Sequence, residues 1–272
     1  MIVGPWRYRV GVLGVCAGLV LAAGCATQGG TAANPASRDR ITASDEPDAS
    51  KRARVRLELA MAYFGRGQTT VALDEVKQAI AADPNLGEAF NLRGLIYATL
   101  GDDALAEQSF RRAIQINAAD PDTLHNFGWY LCQRKRYTEA NAQFSQALSL
   151  PQLRDPSRTL LAQGICQALD ARLEEAERTL MRSFELDPMN PATAVNLSEV
   201  LYRRGEYERA RFYVRRVNAQ PEVLNAQTLW LAARIERRLG NGSGVQEFGR
   251  QLRERFGDSR EAAAFEKGQF DE

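Results

Sequence analysis

The chain has little histidine and little cysteine: one His (His125) and four Cys in 272 residues. One histidine excludes two-histidine zinc sites and Cys/His fingers, and four cysteines are too few for a disulfide-built scaffold, so each must be read by its place. Neither sign of charge is in excess, with 35 basic and 34 acidic residues, so the overall footprint of a nucleic-acid binder is missing, as is a long acidic tail. No G-x-x-x-x-G-K-[ST] is present, and the "GNGSG" at 240–244 has neither a following Lys nor a preceding strand-like run. Carboxylate pairs such as Glu174-Glu175 read as the solvated face of a helix. The expectation is a binding protein rather than an enzyme, with no cofactor, no metal, no nucleic acid and no small-molecule substrate.

A long apolar run occurs only at the start, from Val10 to Ala23 after Arg7 and Arg9. That is a signal-peptide pattern, too short for a comfortable membrane span. The small residues Ala22-Ala23-Gly24 lead into Cys25 and resemble the lipobox of bacterial lipoproteins, in which cleavage before the cysteine leaves it as the lipidated first residue. The resemblance implies a signal peptide over 1–24 and lipidation at Cys25. With Ala26 next rather than Asp, it also implies a place on the periplasmic face of the outer membrane. Residues 25–52 hold no aromatic residue and one large aliphatic, Ile41. Such a segment cannot bury enough apolar surface to offset its ordering entropy, and it reads as a flexible tether reaching roughly 30 Å.

The rest repeats. Small residues recur at Ala60, Gly94, Gly128, Gly164, Ser198 and Ala232, with gaps of 34, 34, 36, 34 and 34. A second series twelve residues on, Ala72, Ala106, Ala140, Ala176, Ala210 and Gly244, has the same gaps. Two series locked together at this period are the signature of the tetratricopeptide (TPR) repeat, a helix–turn–helix unit. Leu59, Phe127, Leu197 and Leu231 precede the first small residue, and Val76, Phe110, Phe144, Leu180, Val214 and Phe248 follow the second by four. The fold expected is all-α: a TPR superhelix of six repeats over 53–256, with a capping helix and tail over 257–272. A glycine inside a helix weakens it by about 1 kcal/mol relative to Ala, so Gly128 is expected where the two helices of a hairpin come closest. The two extra residues fall in "LPQLRDPSR", a longer link, and "GNGSG" suggests a looser sixth hairpin.

TPR arrays act as binding surfaces, with the first helices of successive repeats lining a groove. Register places Asn91, Leu92, Leu95, His125, Asn126, Trp129, Asn196, Tyr202 and Trp230 on that lining. Aromatic rings beside amides suit a peptide, through contact area and backbone hydrogen bonds. The alternative for the tryptophans is packing against neighbouring repeats. Cys132 and Cys166 lie 34 residues apart on the first helices of adjacent repeats. That spacing favours a disulfide across the joint with the longer link, and two buried thiols are the alternative.

Residues beyond the TPR consensus resemble a particular family. Asn126, Gly128, Leu131 and Cys132 match an N-x-G-x-x-L-C run, and Gly164 and Cys166 match a G-x-C run one repeat on. Both are similar to the type IV pilus biogenesis and stability lipoproteins called PilF or PilW, as are "SEVLYRRGEYERARFYVRR" and "LWLAARIERRLGN". Gly257 stands where that family usually has proline. The resemblance implies a pilotin-like role: binding subunits of the secretin, the outer-membrane pore of the pilus, and assisting its localisation and oligomerisation. A general periplasmic TPR scaffold, serving peptidoglycan enzymes or outer-membrane protein assembly, is the alternative.

Overall fold

The computed structural model describes residues 48–270. The expected signal peptide, Cys25 and the tether up to residue 47 lie outside the described residues. Among those described, thirteen helices follow one another with no strand, and no helix is long and apolar enough to cross a membrane. Six hairpins form from α1 (Asp48–Gly65) with α2 (Thr69–Ala82), α3 (Gly87–Leu100) with α4 (Asp103–Ile116), and α5 (Pro121–Gln133) with α6 (Tyr137–Ser149). Then come α7 (Pro156–Leu169) with α8 (Leu173–Leu186), α9 (Pro191–Arg203) with α10 (Tyr207–Asn218), and α11 (Ala226–Arg238) with α12 (Gly242–Phe256). A short α13 (Arg260–Glu266) packs on both helices of the last hairpin. Each second helix also packs on the first helix of the next hairpin, the stacking expected of a TPR array.

Local chemistry explains where the helices start and stop. Asp120-Pro121, Asp155-Pro156 and Asn190-Pro191 each place a capping side chain before a proline in the first helical turn. The cap oxygens accept from free backbone N–H groups, and proline forfeits an N–H that has no helical partner there. α1 begins at Asp48, ahead of the boundary at residue 53 that composition suggested. Its extra turn is held because the Ser50 hydroxyl donates to Asp83 at the end of α2, at 3.1 Å.

All six hairpins close on the same turn. One residue takes left-handed backbone (Gly67, Gly101, Lys135, Ala171, Gly205, Gly240), with φ between 60° and 80°. The next N–H then reaches back to a carbonyl five residues earlier: Gln68 to Tyr63, Asp102 to Tyr97, Arg136 to Leu131, Arg172 to Gln167, Glu206 to Leu201 and Asn241 to Glu236. The sixth hairpin is therefore not loose, contrary to the expectation from "GNGSG". Gly240 makes the common turn, and the Asn241 side chain caps α12. The expected longer link is residues 150–155, but 219–225 is longer still because α10 ends early.

Size complementarity sets the spacing within each hairpin. A Cβ on Gly94 would stand 2.8 Å from the Phe110 ring, one on Gly128 2.9 Å from Phe144, and one on Gly164 2.6 Å from Leu180. Where the first helix instead carries Ala60 or Ser198, the residue sixteen further on is the smaller Val76 or Val214. Gly128→Ala is predicted to destabilise the chain by about 1–3 kcal/mol through this overlap, although helix propensity alone would favour Ala by about 1 kcal/mol. Urea unfolding of Gly128→Ala, with and without Phe144→Leu to make room, checks this. A neutral single variant would refute the close-approach reading.

Candidate partner-binding surface

The residue just after each small residue points away from the hairpin partner, because the helix turns about 100° per residue. In the first four repeats this place is apolar throughout: Met61, Leu95, Trp129 and Ile165. Met61 is 50% exposed, and the other three are half-buried at the surface. Leu161 and Val195, half-buried, and Leu169, 58% exposed, extend the apolar character along α7 and α9. In the fifth repeat the same place holds Glu199, which ends the row. Leu95 and Trp129, expected on the lining, also pack against the core of the second and third repeats. Met61 and Ile165 share their register and could have been found by the same count.

The amides expected beside this row have other partners. The Asn126 amide N–H donates to Asn91 Oδ1 at 3.2 Å, and its own Oδ1 accepts from Arg158 at 3.4 Å. Arg158 also lies 3.8 Å from Asp122. This chain of polar contacts links α3, α5 and α7, so Asn126 holds three repeats in register instead of facing a peptide. Asn196 donates to the Ala192 carbonyl of its own helix at 2.8 Å. Leu92 is buried in the core of the first two repeats.

Three other expected lining residues are also taken up by packing. His125 is 7% exposed, with Nδ1 3.0 Å from the Thr159 hydroxyl and its ring edge-on to Phe144. It belongs to the joint between the third and fourth repeats. Tyr202 is buried in the core of the fourth to sixth repeats, beneath the Arg234 guanidinium at 4.5 Å. Trp230 packs toward the C-terminus, 4.9 Å from the Phe270 ring and edge-on to Phe265. Arg234 donates to the Phe270 carbonyl at 3.2 Å, so Phe270 closes the end of the array over Trp230. A Cβ on Gly249 would lie 2.0 Å from Phe265, which shows how closely α13 seats on α12. Cys132 and Cys166 are buried and joined as a disulfide between α5 and α7, with Cα atoms 5.7 Å apart.

No group of three or more His, Cys, Asp or Glu side chains able to hold a metal occurs among the described residues. The strongest titration effect lies at His125. Burial, with help from Arg158 and against the opposing pull of Asp155, pushes its pKa down to about 3. The unfolded chain takes up this proton below about pH 6.5, whereas the native chain stays neutral. The stability tied to neutral His125 is therefore complete above that pH, and drains as pH falls from 6.5 toward 3, by up to about 1.4 kcal/mol per unit. Glu107 is held low chiefly by its hydrogen bond from Arg136, so its contribution is lost only below the ordinary carboxylate value of 4.5. Between pH 7 and 5.5 the wild type is predicted to lose about 1 kcal/mol more than His125→Gln. Urea titrations at the two pH values check this, and parallel losses in both proteins would refute it.

Comparison with known proteins agrees with this geometry. Tetratricopeptide-repeat family models match residues 57–122 and 122–150. The type IV pilus assembly protein PilF of Pseudomonas aeruginosa strain PAO1 is 26% identical over 210 residues, covering 77% of this chain and 83% of that protein. A crystal structure of PilW, described as a widely conserved type IV pilus biogenesis factor, superposes with a TM-score of 0.73 at 32% identity, over 78% of this chain and 97% of that one. A structure of Pseudomonas aeruginosa PilF superposes at 0.72 with 24% identity and shares the fold over its whole length. With six TPR hairpins, the Cys132–Cys166 bridge and a relative 32% identical along nearly all of its length, this chain belongs to the PilF/PilW family of type IV pilus biogenesis factors.

Proposed function

We propose that this chain is a pilus biogenesis factor that acts by binding, without a catalytic step. It is anchored through lipid on Cys25 to the periplasmic face of the outer membrane. From there it holds secretin subunits and promotes their localisation and oligomerisation, and so the stability of the pilus. Membership of the family supports the pilus role. The observation that carries the binding reading is the apolar row Met61, Leu95, Trp129 and Ile165, which recurs in each of the first four hairpins. A regular apolar row rimmed by polar residues is the kind of surface that holds a partner. Trp129 is its one large aromatic anchor, the residue type that most often dominates binding energy. A tether reaching roughly 30 Å would let the array meet an unassembled subunit without leaving the membrane.

Affinity capture and crosslinking from an outer-membrane fraction test the reading. Wild type is expected to recover a secretin, and Cys25→Ala to reduce its high-mass oligomer. Leu95→Ala combined with Trp129→Ala is expected to weaken capture by about 2 kcal/mol or more while the chain stays folded. Undiminished capture by that folded variant would move the site elsewhere. Recovery of peptidoglycan or outer-membrane-insertion proteins without any secretin would establish the general scaffold instead.

A further inference from the structure

Two repeats carry a polar residue just before the small one, Arg93 in α3 and Gln163 in α7. Where four repeats place Leu59, Phe127, Leu197 and Leu231, just before the small residue, α3 carries Arg93. Its Nε donates to the Ser109 hydroxyl of α4 at 3.0 Å, and its guanidinium lies 4.8 Å from the centre of the Phe90 ring. The Arg112 guanidinium lies 5.7 Å from the same ring. Arg111 stands beside them, paired with Glu107, a carboxylate already shared with Arg136. Among the described residues no ion pair reaches Arg93 or Arg112. Burial holds the Arg93 guanidinium below its ordinary range, the sign of a cation partly stripped of water and lacking a counter-charge. These groups surround a hollow of about 440 Å³ lined by Phe90, Arg93, Gln108, Arg111, Arg112 and Gln115.

Four of those residues, 108, 111, 112 and 115, have the i, i+3, i+4, i+7 spacing of a single helix face. Two arginines stand in the middle of that stripe, and a glutamine stands at either end, about 10 Å apart along the helix. Guanidinium groups match carboxylate and phosphate alike. The glutamines favour the first: a peptide backbone uses both the donor and the acceptor of a primary amide, whereas a phosphate oxygen uses only the donor. The Phe90 ring backs the hollow beneath the Arg93 and Arg112 guanidiniums. We propose that this hollow takes an Asp or Glu carboxylate of an acidic protein segment running along α4, with Gln108 and Gln115 holding its backbone. The site is separate from the Met61–Ile165 row and does not depend on what that row binds.

The test uses the full-length chain in a neutral detergent and fluorescence anisotropy. The probes are a labelled ten-residue peptide of alternating Glu and Ala and its Gln/Ala counterpart, with inorganic phosphate and phosphatidylglycerol-doped micelles as competitors. The Glu peptide is expected to bind, more weakly as salt rises, and the Gln peptide is not. Arg93→Leu and Gln108→Glu should each weaken the Glu peptide by about tenfold or more, and Trp129→Ala should leave it unchanged. Arg93→Leu gives the residue that the first, fifth and sixth repeats carry at this place and is expected to stay folded. Gln108→Glu, which touches no core position, carries the test if that variant unfolds. Equal affinity for the two peptides, or affinity unchanged in both variants, overturns the proposal. So does an Arg93-dependent interaction confined to phosphate or the lipid micelles.

Discussion

The array depends on how closely two helices approach at one residue per repeat. Where that residue is glycine, a phenylalanine or leucine from the second helix fills the space a Cβ would occupy, and Ala60 and Ser198 are met by the smaller Val76 and Val214. Close approach of this kind fixes how the two helices of a hairpin meet, and successive hairpins then stack side by side. The regular outer row follows from this. Met61, Leu95, Trp129 and Ile165 line up because their neighbours Ala60, Gly94, Gly128 and Gly164 are pinned.

Joints between repeats differ along the array. The second and third repeats meet through aromatic rings, with Phe110 stacked on Phe127 and tilted against Tyr130. From the fourth repeat on, buried carboxylates add to a shared apolar core. Glu177 is held by Arg204 and Arg209, and Glu236 by Arg211, Arg215 and the Asn241 amide. Such clusters add little net stability over apolar packing, but removing one partner leaves a buried charge, which costs about 3–5 kcal/mol. They therefore bind each repeat to its own neighbour, and a slip in register would strand a carboxylate.

The sequence made the fold legible because its signal is periodic: twelve small residues in two locked series leave little choice of architecture. The candidate surface was legible only in part, since register says which way a residue faces within its own hairpin and not what the next hairpin lays over it. His125 and Tyr202 sit at positions that line grooves elsewhere, yet Thr159 and Arg234 from the following repeats cover them. Trp230 was read without its lid, because Phe270 lies forty residues on, beyond any repeat. The sixth turn differs from what composition suggests: three glycines and an asparagine read as slack, whereas one glycine makes the left-handed turn and the asparagine caps the helix.

The bridge between Cys132 and Cys166 has a mechanical consequence. An unbridged solenoid pulled from its ends can be drawn out one repeat at a time, each adding its full contour length. Here the segment from Cys132 to Cys166, 34 residues in sequence separation, is closed into a covalent loop. About 110 Å of chain cannot be paid out under load, however far the hairpin itself has melted. The middle of the molecule is thus a stop against extension, set between a first repeat and a last one that can still yield.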